Sequence, residues 1–282
     1  MMINTDNLHH AYGGQPVLRG IDLRVDAAGI IGLCAPNGEG KTTLMKLLAG
    51  LQFPTEGRVS VLGHTPSERP LDLLQRLYFL PSEPFFPAWS PRKIAAYYGA
   101  FYPNFNNELF LTTLTEFRVD PDKKLDKVSF GQKRRAQLSF ALATRTQLLL
   151  LDEPTIGLDI QGKDQFRRSL ISGTEAGQTI LIATHLLAEI EPVLDQVLIL
   201  KDGRIDAHLP LSVAQDFYSF NLSPRPLAYG DKGYARRVPG GFLTVHADGR
   251  ASTAAFDLET LYLALTDGGL PRPATAASGT LL

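Results

Sequence analysis

The chain has 282 residues, 44% hydrophobic and 20% charged, with a formal net charge of -1. That length can bury a core in one large domain or two modest ones, and the near-neutral balance excludes a general basic field for nucleic acid. A single cysteine, Cys34, excludes an internal disulfide, and no apolar run reaches the roughly 18–20 residues that cross a bilayer. The amino terminus, Met1-Met2-Ile3-Asn4-Thr5-Asp6, lacks the basic and apolar segments of a secretory leader. The chain is therefore expected in the cytoplasm, with any membrane role reached through a partner.

Residues 1–28 read as short strands, since Val17, Ile21, Leu23 and Val25 alternate roughly with polar residues. Tyr12 lies in the turn-rich stretch His10-Ala11-Tyr12-Gly13-Gly14, either as ordinary packing or as a stacking platform for a purine. Next comes an apolar strand, Gly29–Cys34, then Ala35-Pro36-Asn37-Gly38-Glu39-Gly40-Lys41-Thr42-Thr43. Leu44, Leu47, Leu48 and Leu51 follow at the spacing of one helix face. Strand, glycine-rich turn and helix make a phosphate cradle, because backbone N–H groups and the helix dipole converge on one spot. Lys41 can reach the β- and γ-phosphates of a nucleotide, and the Thr42 hydroxyl can ligate Mg²⁺. Ala35 stands where the motif G-x-x-x-x-G-K-[ST] has its first glycine. Alanine there costs roughly 1–2 kcal/mol if the position needs a positive φ, and little otherwise.

Gly57–Gly63 and Leu77–Leu80 read as further short strands. Nine aromatics, including the only tryptophan, Trp89, fall between residues 85 and 110. Ser90 followed by Pro91 is a helix start, after which Ile94, Tyr97, Tyr98 and Phe101 share a face. This is expected to be a helical insertion whose aromatics mostly form its own core, with the rest an exposed docking surface. Val128-Ser129-Phe130-Gly131-Gln132 opens a helix carrying Ala136, Leu138, Phe140, Ala141 and Leu142. Leu148–Leu151 is a strand buried on both faces, a helix spans about 160–172, and Thr179–Ala183 is a second buried strand. Gln196–Leu200 is expected to be the last core strand, closed by a turn at 201–204. Buried strands alternating with helices indicate a parallel sheet covered on both sides. Beyond residue 210, Phe242–His246 and Arg250–Ala255 flank Asp248-Gly249 and predict a hairpin. Asp257 caps a short helix with Leu258, Leu261, Tyr262 and Leu265. Residues 273–282 are mostly small and polar, and are expected to be a disordered tail.

The chemistry gathers at strand ends. Asp152 and Glu153 leave a buried strand at the carboxyl edge of the sheet, where open α/β folds bind ligands. Asp152 is placed to hold Mg²⁺ and Glu153 to polarise water attacking a γ-phosphate. His185 ends the next strand at the same edge. His9, His10, His64, His208 and His246 have no such placement and are expected on the surface. No His/Cys/Asp/Glu cluster has structural-metal spacing. Ser129–Gln132 is a capping box, and a capped helix start is also an anion site.

On these residues the chain resembles the ATP-binding subunit of an ABC (ATP-binding cassette) transporter, over roughly residues 3–208. The motifs stand in the family's order: an aromatic loop at Tyr12, the P-loop at 35–43, a Q-loop region at 79–84, the signature at 128–132, the Walker B segment at 148–153, the D-loop Gly157-Leu158-Asp159 and the switch histidine His185. The resemblance implies a P-loop NTPase of the α/β class with a mainly parallel sheet core, an antiparallel β subdomain and a helical subdomain at about 85–145. It leaves a small C-terminal α+β extension at 209–272, in which residues 257–266 resemble the closing segment of the drug- or polysaccharide-exporting branch. The resemblance further implies ATP and Mg²⁺ as ligands, with Tyr12 on the adenine, residues 35–43 on the phosphates, and Thr42, Asp152 and Ser82 at the metal. Lys41, Glu153 and His185 are the implied catalytic residues. It also implies a head-to-tail dimer in which Ser129, Gly131 and Gln132 of one copy close over the ATP of the other and Asp159 communicates across the interface. A separate membrane permease would contact Trp89 and its neighbours.

Three positions depart from the family pattern: Ala35; Ser82, where the family has a glutamine that binds Mg²⁺ and senses the permease; and Phe130, at the middle glycine of L-S-G-G-Q. The expected function is an ATP-hydrolysing subunit that powers an exporter from the cytoplasmic face of the plasma membrane. The alternatives are a soluble ABC ATPase acting on ribosomes or DNA, and a regulatory module that binds nucleotide without turnover. The first usually has two cassettes or a long coiled-coil insertion, and neither is present; Ser82 and Phe130 motivate the second.

Overall fold

The computed structural model describes residues 1–26, 28–83, 86–228 and 231–273. β1 (Ile3–Tyr12) and β2 (Gln15–Val25) form a hairpin over Gly13 and Gly14, and β4 (Glu56–Val61) pairs on the other side of β1, making an antiparallel sheet of order β2-β1-β4. β3 (Gly29–Cys34) runs into α1 (Lys41–Leu48). After β4 come α2 (Leu71–Arg76) and β5 (Leu77–Leu80), then three helices, α3 (Pro91–Tyr98), α4 (Asn107–Glu116) and α5 (Phe130–Ala143). Local capping starts each of the three: the side chains of Ser90, Asn106 and Ser129 accept from Lys93, Leu109 and Gln132 N–H, a contact worth about 1 kcal/mol apiece.

The chain continues through β6 (Leu148–Asp152), α6 (Ile160–Gly173), β7 (Thr179–Thr184), α7 (Leu187–Ile190), β8 (Gln196–Lys201) and β9 (Arg204–Pro210). The central sheet has the order β5-β6-β7-β3-β8-β9, parallel throughout except for the antiparallel β9. The last segment holds α8 (Leu211–Phe217), β10 (Ser219–Ser223), β11 (Tyr234–Val238), β12 (Gly241–His246) and α9 (Leu258–Thr266).

Strand side chains alternate between faces, so the central sheet divides two apolar layers. Ile31, Leu33, Leu148, Leu150, Leu181 and Leu198 join the antiparallel sheet and α1. Ile30, Cys34, Leu149, Leu151, Ile180 and Val197 join the helices. Cys34 is fully buried, and burial pushes its thiol well above the usual range, as befits a small core residue. Phe140 of α5 centres the helical region, with ring contacts to Tyr78, Phe86, Tyr102, Phe105 and Phe110.

Several expectations need correction. Leu51 lies beyond α1 and is half exposed. The helix stops because Gly50 takes a left-handed φ of 67°, and a Cβ there would lie 2.1 Å from Pro66 O. Of the expected shared face only Ile94 is buried; Tyr97 on α3 and Phe101, in the turn beyond its end, are largely exposed. Phe85 and Pro84 lie outside the described residues, as does the expected tail from 274 onward. The sheet continues past 200 into β9, so the expected boundary at 208 falls inside a strand.

The hairpin at Asp248-Gly249 is replaced by one at Pro239-Gly240, between β11 and β12. β12 has β10 on its other side, so residues 250–255 find no free edge there. They run outside β10 instead, where the N–H groups of Thr253 and Ala254 donate to Phe220 O at 2.9 Å. Two histidines are buried rather than exposed: His10 Nδ1 lies 2.9 Å from Phe53 O, and His208 Nε2 lies 2.8 Å from Gln196 Oε1. Each is held inside by a fixed partner on one ring nitrogen. The extension has no core of its own. Tyr218, Phe220, Val245, Leu258, Leu261 and Leu265 belong to the same buried cluster as the central helices.

Candidate functional site

Because β5, β6, β7 and β3 are parallel neighbours, their carboxyl ends open on one edge of the sheet. β3 delivers the 35–40 loop there, β6 delivers Glu153, β7 delivers His185, and β5 leads to Ser82. Together they line a cleft of about 960 Å³ with Tyr12, Lys41, Thr42 and Phe130, within the size range of small-molecule sites.

The loop takes its shape from two glycines. Gly38 (φ 90°) and Gly40 (φ 104°) are left-handed, and a Cβ on Gly40 would sit 2.8 Å from Leu18 and 3.0 Å from Val17. Ala35 is buried but is not among the positive-φ residues. The first-glycine position therefore needs no glycine conformation in this chain, and alanine carries no backbone penalty. Lys41 is the first residue of α1, and its Nζ donates to Ala35 O (2.7 Å) and Pro36 O (3.1 Å). It also lies 3.7 Å from Glu153 Oε1. Burial pushes the Lys41 pKa down, against the pull of Glu153 and Asp152, so an added anion at this position would relieve a desolvated cation.

Thr42 Oγ1 donates to Asp152 Oδ2 at 2.8 Å. Asp152 Oδ1 is buried without a well-formed hydrogen bond, the Ser82 backbone N–H being the polar group that also acts on this carboxylate. Burial raises the Asp152 pKa, while the Thr42 hydroxyl pulls it down. An orphaned carboxylate oxygen beside a hydroxyl is a hard-oxygen pair suited to a small divalent cation. No group of three or more His, Cys, Asp or Glu side chains could hold a metal among the described residues, so such a cation would draw its other ligands from phosphate and water.

Glu153 has a different role in the geometry. Its Oε2 accepts from Thr184 Oγ1 (3.0 Å), and its Oε1 lies 2.8 Å from His185 Nδ1. With its proton on Nδ1, His185 donates to this carboxylate. The Glu153 backbone is left-handed, with φ 46°, a conformation that costs a non-glycine residue roughly 1–2 kcal/mol. The turn aims the carboxylate at Lys41 and His185, while Glu153 N–H still donates to Ala183 O at 2.8 Å. Tyr12 sits at the mouth, half exposed, with its hydroxyl accepting from Gln52 Nε2 at 2.5 Å and lying 3.4 Å from Thr43 Oγ1.

Not every expected residue joins the cleft. Ser129 and Gln132 form the capping box of α5 and do not line it. Gly131 is also absent from the lining; it packs on the loop before α6, where a Cβ would approach Gly157 O to 2.9 Å. Asp159 caps α6 through Gly162 N–H and pairs with Arg135 at 2.6 Å. Phe130 does line the cleft, and its ring covers Gly157 so closely that a Cβ there would fall 2.2 Å from it.

The residue that sequence reasoning missed is Arg134, the largest fully buried side chain. Its signal was available: Arg134 shares a helix face with Leu138 and Ala141, and a charge on such a stripe points inward.

A family model described as "ABC transporter" matches residues 18–156. Nod factor export ATP-binding protein I of Burkholderia lata is 33% identical over 208 residues, covering 72% of this chain and 68% of that protein. Bacitracin transport ATP-binding protein BcrA of Bacillus licheniformis is 31% identical over 215 residues, covering 74% and 70%. Among solved structures, a dimeric post-hydrolysis ATP-binding cassette bound to ADP and phosphate superimposes with a TM-score of 0.64 at 22% identity, covering 74% of this chain and 99% of that one.

Proposed function

The chain belongs to the ATP-binding proteins of ABC transporters, and from that premise we propose that it hydrolyses MgATP at this cleft to power a separate membrane permease, in the direction of export. The observation that carries the reading is the convergence of Lys41, the Thr42–Asp152 pair and the Glu153–His185 pair on one sheet edge. Export is favoured by the relative whose name states export. Among the described residues no helix is long and apolar enough to cross a membrane. In this reading the permease is another chain and this one lies at the cytoplasmic face.

Each residue takes a role that its chemistry allows. The amides of residues 36–43 and Lys41 hold the phosphates, and the Tyr12 ring stacks on the adenine. Thr42 and Asp152 hold Mg²⁺, with Ser82 beside them in place of a glutamine. Held there, Mg²⁺ would supply positive charge against the phosphate oxygens. Glu153 accepts a proton from the attacking water as the water oxygen bonds to the γ-phosphorus and the bridging bond to ADP breaks. His185 steadies Glu153 and faces the phosphate end of the cleft. Ser129, Gly131 and Gln132 serve a second copy, head to tail, so that two ATPs are enclosed at one interface, and Asp159 reports across it.

The test is an ATP titration with phosphate-release kinetics on the wild-type chain and Lys41→Ala, together with co-purification. Wild-type binding and turnover, weaker ATP binding by Lys41→Ala, and capture of a protein of about six transmembrane helices encoded nearby are the expected results. Unchanged nucleotide affinity in Lys41→Ala would reject the cradle.

A further inference from the structure

Four carbonyl oxygens around the Walker B turn converge on one buried guanidinium. Arg134 Nη2 donates to Asp152 O at 3.0 Å and Glu153 O at 2.8 Å, Nε donates to Pro154 O at 3.2 Å, and Nη1 donates to Pro81 O at 3.1 Å. None of these contacts is to a carboxylate oxygen. Burial lowers the Arg134 pKa to about 10 against the attraction of Asp152, Tyr78 and Glu153, so the group stays cationic at neutral pH. A buried arginine that grips only backbone fixes where that backbone goes.

Its four partners are the three consecutive residues that form the left-handed turn at Glu153 and the residue before Ser82. The arginine itself lies on the second turn of α5, just after the Ser129–Gln132 capping box. A single side chain therefore ties the head of the signature helix to the backbone that carries Glu153 on one strand end and to the Ser82 loop on another.

We propose that Arg134 is a positioning residue for ATP hydrolysis: it holds the Glu153 backbone in its left-handed turn and transmits the position of the signature helix to the Glu153 carboxylate. This rests on the reading of the cleft as an ATPase site. Arg134 does not line the cleft; it acts through the Glu153 backbone. Lysine at 134 keeps the charge but lacks the fork, so it can reach one or two of the four carbonyls.

The experiment is a double-mutant cycle on the full chain, combining Arg134→Lys with Glu153→Gln, read by kcat and KM for phosphate release, ATP affinity and thermal melting. The expected result is a kcat at least tenfold lower in Arg134→Lys, with KM and ATP affinity within about threefold of wild type. In the Glu153→Gln background the same change should lower residual turnover less than twofold, because the group it positions is already gone. Arg134→Met should lose at least threefold more than Arg134→Lys. Equal losses in both backgrounds, an unchanged kcat, or loss of ATP affinity in step with kcat would each overturn the proposal. So would failure of Arg134→Lys to fold, which would make the residue merely structural. A wild-type chain with no ATP hydrolysis would overturn the ATPase reading as well, whereas wild-type turnover indifferent to Arg134→Lys would overturn this role alone.

Discussion

Glu153→Gln separates binding from chemistry at this site. The carboxylate accepts on both oxygens, from Thr184 and from His185, and faces Lys41 at 3.7 Å. At an effective dielectric of 20 that ion pair is an attraction of about 4 kcal/mol before desolvation. Glutamine keeps one acceptor, which can stay toward Lys41 and His185. Its NH₂ then meets the Thr184 hydroxyl, which can accept as well as donate. The fold and the cradle should therefore survive, and removing a negative charge from a site for polyanionic phosphates should leave ATP affinity unchanged or up to about tenfold tighter. Loss of the general base should lower kcat by about 10²–10⁴, or about 3–5 kcal/mol in the barrier. Phosphate release under saturating MgATP, nucleotide titration and size-exclusion chromatography with and without ATP measure all three. The closed dimer should accumulate with ATP. Turnover within about threefold of wild type would refute the assignment of Glu153.

Other predictions follow from single contacts. Gly40→Ala should weaken ATP binding by at least tenfold, because its φ of 104° and the close approach of Leu18 leave no room for a methyl group; Ala35→Gly should leave it within about twofold, and one titration series compares the two. Asp152→Asn removes a carboxylate whose pKa burial has raised above its ordinary value. Above that raised pKa the ionised form costs the fold stability, and below the ordinary value of 3.8 the acid is protonated in both states and the cost vanishes. Without nucleotide or metal, the variant should thus gain stability over wild type at pH 8, and the gain should shrink as denaturation is repeated toward pH 4, while MgATP hydrolysis is lost. Leu261→Ala, in the shared core, should cost about 2–5 kcal/mol and lower the melting temperature of one cooperative transition. A separate low-temperature transition would show that the extension unfolds on its own.

The elements proposed to carry nucleotide chemistry were legible as turns, strands and caps because each is local. Glycine at 38 and 40, Lys41 and Thr42, the Leu148–Leu151 run ending in Asp152-Glu153, and the Ser129–Gln132 cap all declare themselves within a few residues, through turn geometry, apolar periodicity and capping. Convergence of strand ends on one edge also followed from the parallel alternation. Tertiary structure decided what depends on residues far apart. Pro66 against Gly50 ended α1 early. Competition for the edges of β12 moved the hairpin from Asp248 to Gly240, and fixed partners drew His10 and His208 inside. Ala35 could not be judged from its neighbours, because the backbone angle that settles it comes from how the loop closes on Lys41. Arg134 is the clearest case. Its place on the helix face of Leu138 and Ala141 could mark it as buried, but 134 lies near 81 and 152–154 only after the sheet is assembled, and there four carbonyls make it a tie across the site.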